Sequence, residues 1–340
     1  GRRVVLGVTG GIAAYKSVQV ARDLTRLGAR VDVVMTSSAQ EFVKPLSFQG
    51  VTGREVFTSL FTGSGPAAHI RLGSRADAVL VAPATADFLA RAAQGMADDL
   101  LATTLLVTRS PVVLCPAMNE RMYDHPQTLR NLDHLRDHLG YRIAGPGRGP
   151  LAYGEGSGPG RMLEPEEIIQ HVGRALGRDS AWEGRRVVVT AGPTREPLDP
   201  VRFLGNRSSG RMGFALAGAA WRRGARVTLI TGPTFLQDPT CIETRRVETG
   251  EEMEGEVQAA LPDADVLIFA AAVSDFKPQA SGHRKLKRSR KGDEVQIRLS
   301  PTTDVALSTV QGRKTGAVAL GFALETEDLL ENARRKMREK

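Results

Sequence analysis

The chain has 340 residues, 41% of them hydrophobic, and 46 basic against 38 acidic residues give it a net charge of +8. This length exceeds what one hydrophobic core usually supports, so two compact domains are expected. No apolar run reaches the length that spans a bilayer, and the two cysteines, Cys115 and Cys241, exclude a disulfide framework or a four-cysteine zinc site. We therefore expect a protein of the reducing cytoplasm that binds no membrane, and whose positive charge serves either anionic ligands or solubility alone.

Two stretches, residues 3–36 and 186–231, share one plan of strand, glycine-containing turn, amphipathic helix and second strand. Strands that alternate with helices indicate parallel sheets built from βαβ units. The sequence thus predicts an α/β protein with two Rossmann-like domains and mainly parallel sheets, residues 1–180 and 181–340. Ligands of such sheets bind beyond the carboxyl ends of the strands.

The turn after the first predicted strand, "GVTGGIAAYK", contains Gly10 and Gly11 but lacks the G-x-G-x-x-G spacing. Tight packing alone would also explain such a turn. The second strand ends in Met35-Thr36-Ser37-Ser38, without the acidic residue that holds a dinucleotide ribose. Hydroxyl groups beside a helix N-terminus suit a terminal phosphate, so FMN is favoured over NAD.

Three further motifs follow in the first domain. His69 begins "HIRL" after a stretch rich in Gly, Ser and Pro, and a structural or surface histidine is the plain alternative. Next, "APATAD" joins a strand end to a helix through small residues, which allow close approach of a ligand. Then "PAMN" places Asn119 beyond another strand, where its amide could bind a carboxylate.

In this order, together with "GEGSGPGRM", these motifs resemble the flavin-dependent cysteine decarboxylases. The specific resemblance is to the decarboxylase half of the bacterial bifunctional phosphopantothenoylcysteine decarboxylase/phosphopantothenate–cysteine ligases of coenzyme A synthesis. It implies that FMN oxidises the cysteinyl thiol, the carboxylate leaves as CO₂, and reduced flavin returns a hydride. His69 would handle the proton and Asn119 would hold the carboxylate. The implied FMN-binding residues are Gly10, Gly11, Ile12, Thr36, Thr85, Ala86 and Asp87.

One position departs from that family. Its flap usually reads Ala-Cys-Gly, whereas this chain has "LAYGEGSGPGRM", with Tyr153 in place of the cysteine linked to the last, reductive step. A phenol is a poorer nucleophile than a thiol, but it can donate a proton. Either Tyr153 serves that step, or the protein completes the reaction inefficiently and releases an oxidised enethiol. A flavin-binding protein with an impaired decarboxylase is a further alternative.

The second domain has an unusually long connection, residues 192–210, between a strand and a helix, where about 2–6 residues suffice. It carries Arg195, Arg202 and Arg207, and "SSGRMG" opens the following helix. Arginines and backbone N–H groups would bring positive charge towards a phosphate. A surface loop with solvated arginines is the alternative.

This stretch resembles the signature of the ligase half of the same enzymes. The resemblance implies that CTP activates 4′-phosphopantothenate as an acyl-cytidylate, which the cysteine amine then attacks. Arg202 would face the phosphate end, Asn206 would hold the activated acyl group, and Lys285 would act at the reacting phosphate. The other residues implied in substrate and nucleotide binding are Ser208, Ser209, Gly210, Asp275, Thr303, Asp304, Phe322, Lys336 and Lys340.

The remaining expectations concern partners. Mg²⁺ should accompany the triphosphate, with ligands that the sequence does not identify. The resemblance implies a homo-oligomer, a trimer-based dodecamer with dimerising ligase domains, and a family pattern that continues past Lys340. A nucleic-acid-binding module is a further alternative, motivated by a pI of 9.8 and the basic run at 284–291. That run lacks interleaved aromatic residues, so nucleic acid is not expected as a partner.

Overall fold

The computed structural model describes residues 1–61, 67–150, 153–154, 156–177, 179, 181–279, 284–285 and 295–322. The chain divides into two compact units, residues 1–177 and 178–340. Each unit has its own parallel β-sheet with flanking helices, so the predicted α/β class is confirmed. Among the residues described, no helix is both long and apolar enough to cross a lipid bilayer.

The first unit is built on a six-stranded parallel sheet in the order β3-β2-β1-β4-β5-β6, with a separate antiparallel hairpin, β7–β8. Its strands are β1 (Arg3–Val8), β2 (Arg30–Met35), β3 (Val56–Phe57), β4 (Ala78–Ala84), β5 (Val112–Pro116), β6 (Arg142–Ile143), β7 (Gly147–Pro150) and β8 (Ser157–Arg161). Its helices are α1 (Ala14–Arg26), α2 (Ala39–Phe42), α3 (Pro45–Thr52), α4 (Ala68–Arg75), α5 (Ala86–Gln94), α6 (Leu100–Val107), α7 (Glu120–Tyr123), α8 (Pro126–Asp137) and α9 (Pro165–Leu176).

The central strands of this sheet are buried on both faces. Every residue of β4 and β5 is buried, as expected for continuous apolar runs in a parallel sheet covered by helices. Apolar residues of α1, α3 and α9 pack on one face, and those of α4, α5, α6 and α8 pack on the other. The strand order reverses between β1 and β4, which opens a crevice beyond their carboxyl ends.

The second unit has a five-stranded parallel sheet in the order β13-β12-β9-β14-β17 and two antiparallel pairs, β10–β11 and β15–β16. Its strands are β9 (Arg186–Ala191), β10 (Arg195–Pro197), β11 (Phe203–Gly205), β12 (Arg226–Thr231), β13 (Glu243–Arg246), β14 (Val266–Phe269), β15 (Phe276–Pro278), β16 (Leu299–Pro301) and β17 (Val318–Gly321). Its helices are α10 (Arg211–Arg222), α11 (Gly250–Ala260) and α12 (Val305–Ser308), with short 3₁₀ turns at Leu261–Asp263 and Val310–Gly312.

The two sheets begin in the same way. Asp77, just before β4, accepts a hydrogen bond of 2.7 Å from the backbone N–H of Arg3, the first residue of β1. Asp265, just before β14, accepts one of 2.9 Å from the N–H of Arg186, the first residue of β9. In both units a carboxylate therefore ties together the two strands that flank the reversal of strand order.

Candidate active site

A cavity of about 910 Å³ opens at the carboxyl edge of the first sheet, beside the reversal of strand order. Its walls come from the turns that follow β1, β2, β4 and β5, and from β8. The structure brings together in this cavity eight residues that the sequence predicts to bind cofactor or substrate: Gly10, Gly11, Ile12, Thr36, Thr85, Ala86, Asp87 and Asn119.

The turn after β1 lies very close to the loop after β2. A Cβ atom on Gly10 would be 2.4 Å from the Cβ of Ser38, so only glycine fits there without a shift of the backbone. Across the crevice, the Thr9 hydroxyl accepts a hydrogen bond of 3.2 Å from the N–H of Thr85, and the Thr85 hydroxyl caps α5. These contacts hold small residues, hydroxyl groups and a helix N-terminus around one cavity, as a terminal phosphate requires.

Asn119 projects from the loop after β5. Its side-chain oxygen accepts a hydrogen bond of 2.9 Å from the N–H of Arg121, while its Nδ2 has no hydrogen-bond partner among the described residues. Hairpin β7–β8 packs on this loop through a hydrogen bond of 2.9 Å from the Met118 N–H to the Gly160 carbonyl oxygen. The Asn119 amide therefore keeps donors available beside the cavity.

Tyr153 lies in the turn between β7 and β8, and its side chain is fully exposed. The first unit contains one cysteine, Cys115, which is completely buried in β5. Burial raises the pKa of the Cys115 thiol strongly, so this group stays protonated and enclosed. Cys115 thus offers no substitute for the cysteine that the family flap carries.

His69 is the second residue of α4. The C-terminal end of this helix leads into the start of β4, so its N-terminal end, with His69, lies towards the carboxyl edge of the sheet. In the described part of the chain it does not line the cavity. Its Nδ1 atom is buried and has no hydrogen-bond partner among the described residues. Because a buried polar atom without a hydrogen bond costs free energy, this nitrogen is suited to a hydrogen bond with a ligand or with another chain.

Charged side chains that the sequence did not single out also line the cavity. Lys16 of α1 is buried and donates hydrogen bonds to the Met162 carbonyl oxygen, at 3.3 Å, and to Glu164, at 2.9 Å. The Lys16 ammonium, followed by Arg161, lowers the pKa of the Glu164 carboxyl. These contacts fasten the end of β8 to α1, next to the cavity.

At another part of the wall, Arg91 forms ion pairs with Asp87, Asp98 and Asp99, at 3.4, 3.0 and 2.9 Å. Lys16 falls in the helical phase of the buried face of α1, so periodicity could have identified it. Arg91 and Asp87 have the i,i+4 spacing of a helical ion pair, which the sequence contains, whereas Asp98 and Asp99 come from a loop whose path depends on tertiary packing.

In the second unit, the long connection crosses the carboxyl ends of β9 and β14. Pro193 bridges to Ala272 in parallel fashion, and Asn206 donates a hydrogen bond of 2.8 Å from Nδ2 to the Val273 carbonyl oxygen. Gly210 has a φ of +74° and precedes α10, and a Cβ there would be 2.7 Å from Thr234. The predicted residues Asn206, Ser208, Ser209 and Gly210 therefore lie at the ligand-binding edge of the sheet.

The segment after β14 leads to a second group of predicted residues. The Asp275 carbonyl oxygen accepts a hydrogen bond of 2.9 Å from the Thr302 N–H. The next residue, Thr303, therefore lies close to Asp275 in space and is exposed. The Asp304 carboxylate caps α12, with bonds of 3.0 Å from the N–H groups of Ala306 and Leu307. Phe322 is exposed directly after β17.

Four predicted cations have different outcomes. Arg202 lies in the turn before β11 and is half-exposed, with Nη1 3.8 Å from Asp199. Lys285 is exposed, and no contact joins it to the other predicted residues in the described part of the chain. Lys336 and Lys340 lie outside the described residues. Where the chain is described, no group of three or more His, Cys, Asp or Glu side chains could hold a metal ion.

The fold and the site define a protein of two doubly wound α/β units, the first with a deep cavity at its switch point. A family model described as "Flavoprotein" matches residues 1–177, and one described as "DNA/pantothenate metabolism flavoprotein C-terminal domain" matches residues 182–340. The chain is 44% identical over 339 residues to the coenzyme A biosynthesis bifunctional protein CoaBC of Vibrio cholerae, covering 99% of this chain and 84% of that protein. It is also 44% identical over 353 residues to the CoaBC protein of Mycobacterium tuberculosis, covering 100% and 84%. The chain belongs to this CoaBC family of bifunctional coenzyme A biosynthesis proteins.

Two solved structures each match about half of this chain. The FMN-dependent cysteine decarboxylase SpaF is 35% identical, covers 50% of this chain and 97% of its own, and has a TM-score of 0.43. The C-terminal domain of a CoaBC protein is 40% identical, covers 47% of this chain and 75% of its own, and has a TM-score of 0.41.

Proposed function

We propose that this protein joins 4′-phosphopantothenate to cysteine with CTP and then decarboxylates the product, phosphopantothenoylcysteine, to phosphopantetheine. Residues 181–340 would carry the ligation and residues 1–180 the decarboxylation. The observation that carries the proposal is the convergence of eight residues predicted from sequence on one cavity of the first unit. Membership of the bifunctional CoaBC family, with matches to both halves, supports the second activity.

FMN fits the cavity of the first unit. Gly10 permits the close approach of two loops, the start of α5 supplies backbone N–H groups, and Thr36 and Thr85 supply hydroxyl groups for a phosphate. A volume of about 910 Å³ is within the usual range for cofactor sites. When bound, FMN would supply the oxidation of the cysteinyl thiol and its later reversal.

The protein's own residues would orient the substrate and move protons. The Nδ2 donors of Asn119, which have no partner among the described residues, suit the departing carboxylate, whose negative charge they would hold before CO₂ leaves. His69, whose Nδ1 is likewise unpaired in the described part of the chain, is suited to proton transfer once a substrate or a neighbouring chain reaches it. Tyr153 would protonate the enethiolate when hairpin β7–β8 covers the substrate.

In the second unit, the residues at the carboxyl edge would bind the substrates of ligation. Ser208, Ser209 and Gly210 lie before α10, whose N-terminus favours a phosphate, and Asn206 would hold the activated acyl group. Lys285 and Arg202 would contribute positive charge at the phosphates. The other residues assigned to nucleotide or substrate binding are Asp275, Thr303, Asp304, Phe322, Lys336 and Lys340. Mg²⁺ would be held mainly by the triphosphate oxygens.

The protein is further proposed to act as a homo-oligomer, with trimers of the first unit assembling into a dodecamer and with paired second units. In the first unit, His69 does not line the described cavity of its own chain, which suits a site completed by a second copy. In the second unit, exposed apolar side chains on the two antiparallel strand pairs suit a self-association surface: Phe203, Leu204, Phe276 and Leu299. Light scattering of the FMN-loaded protein would test the stoichiometry.

The decisive experiment supplies the purified protein with 4′-phosphopantothenate, cysteine and either CTP or ATP, and measures pyrophosphate and product mass. The proposal expects pyrophosphate with CTP, then CO₂ and a decarboxylated product. Formation of no pyrophosphate with either nucleotide would contradict the ligase assignment. Release of FAD, or no binding of added FMN, would contradict the flavin assignment.

A further inference from the structure

Asp199 is a buried carboxylate in an exposed part of the long connection. Its side chain is 0% exposed, whereas every residue from Pro200 to Arg207 is exposed to solvent. A buried carboxylate is costly unless hydrogen bonds and a positive charge compensate it. The groups that hydrogen-bond to the Asp199 carboxylate therefore show which segment of the chain this side chain stabilises.

The Asp199 carboxylate contacts the backbone of Val201 and both the backbone and the side chain of Arg202. Its Oδ1 accepts hydrogen bonds of 2.8 Å from the N–H groups of both Val201 and Arg202, and its Oδ2 is 3.8 Å from Arg202 Nη1. In return, the Arg202 carbonyl oxygen accepts bonds from the N–H groups of Leu198, at 2.9 Å, and Asp199, at 3.2 Å. Pro200 lies between them and restricts φ in the same turn.

The base of this turn is also fastened to the start of α11. Glu196 is 2% exposed, and its Oε1 accepts a hydrogen bond of 2.9 Å from the Gly250 N–H at the start of α11. The Arg195 N–H donates a bond of 2.7 Å to the Glu248 carbonyl oxygen. Arg202 thus extends from an anchored turn rather than from a free loop.

We propose that Asp199 is a positioning residue of the ligase site, which closes the turn 198–202 and so directs the Arg202 guanidinium towards the phosphate end of the acid substrate. This inference rests on the proposed function, in which Arg202 faces that phosphate. It adds a determinant of substrate choice: the enzyme would prefer a phosphorylated acid over its unphosphorylated counterpart partly through Asp199.

The test compares ligation of 4′-phosphopantothenate with ligation of pantothenate by the full chain. The variants are Asp199→Ala, Asp199→Asn, Arg202→Ala and the double variant Asp199→Ala/Arg202→Ala. Asp238→Asn is the matched control, because Asp238 pairs with Arg246 on the exposed surface of the same unit. Discrimination is the ratio of kcat/KM for the two acids.

Asp199→Ala should lower discrimination about 10-fold, mainly through KM for the phosphorylated acid, since one charge-assisted hydrogen bond is misplaced. Asp199→Asn should retain most of the discrimination, because the amide oxygen can still accept hydrogen bonds from the N–H groups of Val201 and Arg202. In the Arg202→Ala background, Asp199→Ala should have almost no further effect, and Asp238→Asn should have none.

Equal loss of turnover for both acids in Asp199→Ala would overturn the proposal, because it is the result of a purely structural defect. So would an undiminished effect of Asp199→Ala in the absence of Arg202. If Arg202→Ala itself leaves discrimination unchanged, the role given to Arg202 under the proposed function fails instead.

Discussion

Gly10 and Gly11 are consecutive, yet their surroundings differ. A Cβ on Gly10 would meet the Ser38 Cβ at 2.4 Å, whereas a Cβ on Gly11 would be 3.5 Å from the Thr85 methyl group, an ordinary contact. We expect Gly10→Ala to destabilise the protein without bound flavin by about 1–3 kcal/mol through overpacking, and Gly11→Ala to change it little. Thermal unfolding of the two variants, without flavin, measures this difference. Equal melting temperatures would show that the two loops separate easily.

Tyr153 replaces the cysteine that is expected from sequence in the flap of the family. If its phenol protonates the enethiolate, Tyr153→Phe should accumulate the oxidised enethiol, which is two hydrogens lighter than phosphopantetheine. Mass spectrometry of the products distinguishes the two compounds. Accumulation by the unmodified protein would show that a thiol is required, and Tyr153→Cys should then restore reduction. Full conversion by both the unmodified protein and Tyr153→Phe would leave Tyr153 without a part in this step.

At the scale of elements, Asp77 and Asp265 join the central strands of their sheets. The Arg3 N–H, followed by Arg2, lowers the pKa of the Asp77 carboxyl, and Lys314, followed by the Arg186 N–H, lowers that of Asp265. A carboxyl whose pKa is lower in the folded than in the unfolded state stabilises the fold when the pH is above the unfolded-state pKa. This stabilisation is lost as the pH falls below about 4.

We therefore expect Asp77→Asn and Asp265→Asn to lower the melting temperature at pH 7, and this deficit to shrink between pH 4 and pH 3. Melting curves of each variant and the unmodified protein over this range measure it. Asp238→Asn, at an exposed ion pair, should change little at any pH. A deficit that is constant with pH would mean that hydrogen-bond geometry, and not charge, stabilises these strand starts.

Strand positions were largely predictable from sequence. The strands expected at the motifs "APATAD" and "PAMN" correspond to β4 and β5, because buried parallel strands are continuous apolar runs. The hairpin β10–β11 within the long connection was not predicted. Its strands have three residues each, too short for an alternating pattern, and its first strand contacts the start of α11, 54 positions away in the chain.

At the scale of the whole molecule, each activity is assigned to its own unit. His69→Asn should abolish CO₂ release, retain flavin and leave ligation intact, so that phosphopantothenoylcysteine accumulates.

Asn206→Asp should slow aminolysis of the acyl-cytidylate, because an anionic side chain replaces the amide and loses the hydrogen bond to Val273. That variant should still decarboxylate added phosphopantothenoylcysteine. Product analysis by mass measures both; loss of both activities in either variant would show that the units depend on each other.

The sequence by itself determined the α/β class, the repeated βαβ openings, the strand ends and the motifs that indicate a flavin and a phosphate. These properties follow from local periodicity and from turn residues such as Gly10, which neighbouring positions in the chain are enough to specify. Only the tertiary structure decided that Lys16 fastens β8, that Nδ1 of His69 is buried without a hydrogen-bond partner among the described residues, and that the Asp199 carboxylate is buried. Such contacts depend on the path of each connection and on which groups become buried together, and no short stretch of sequence contains that information.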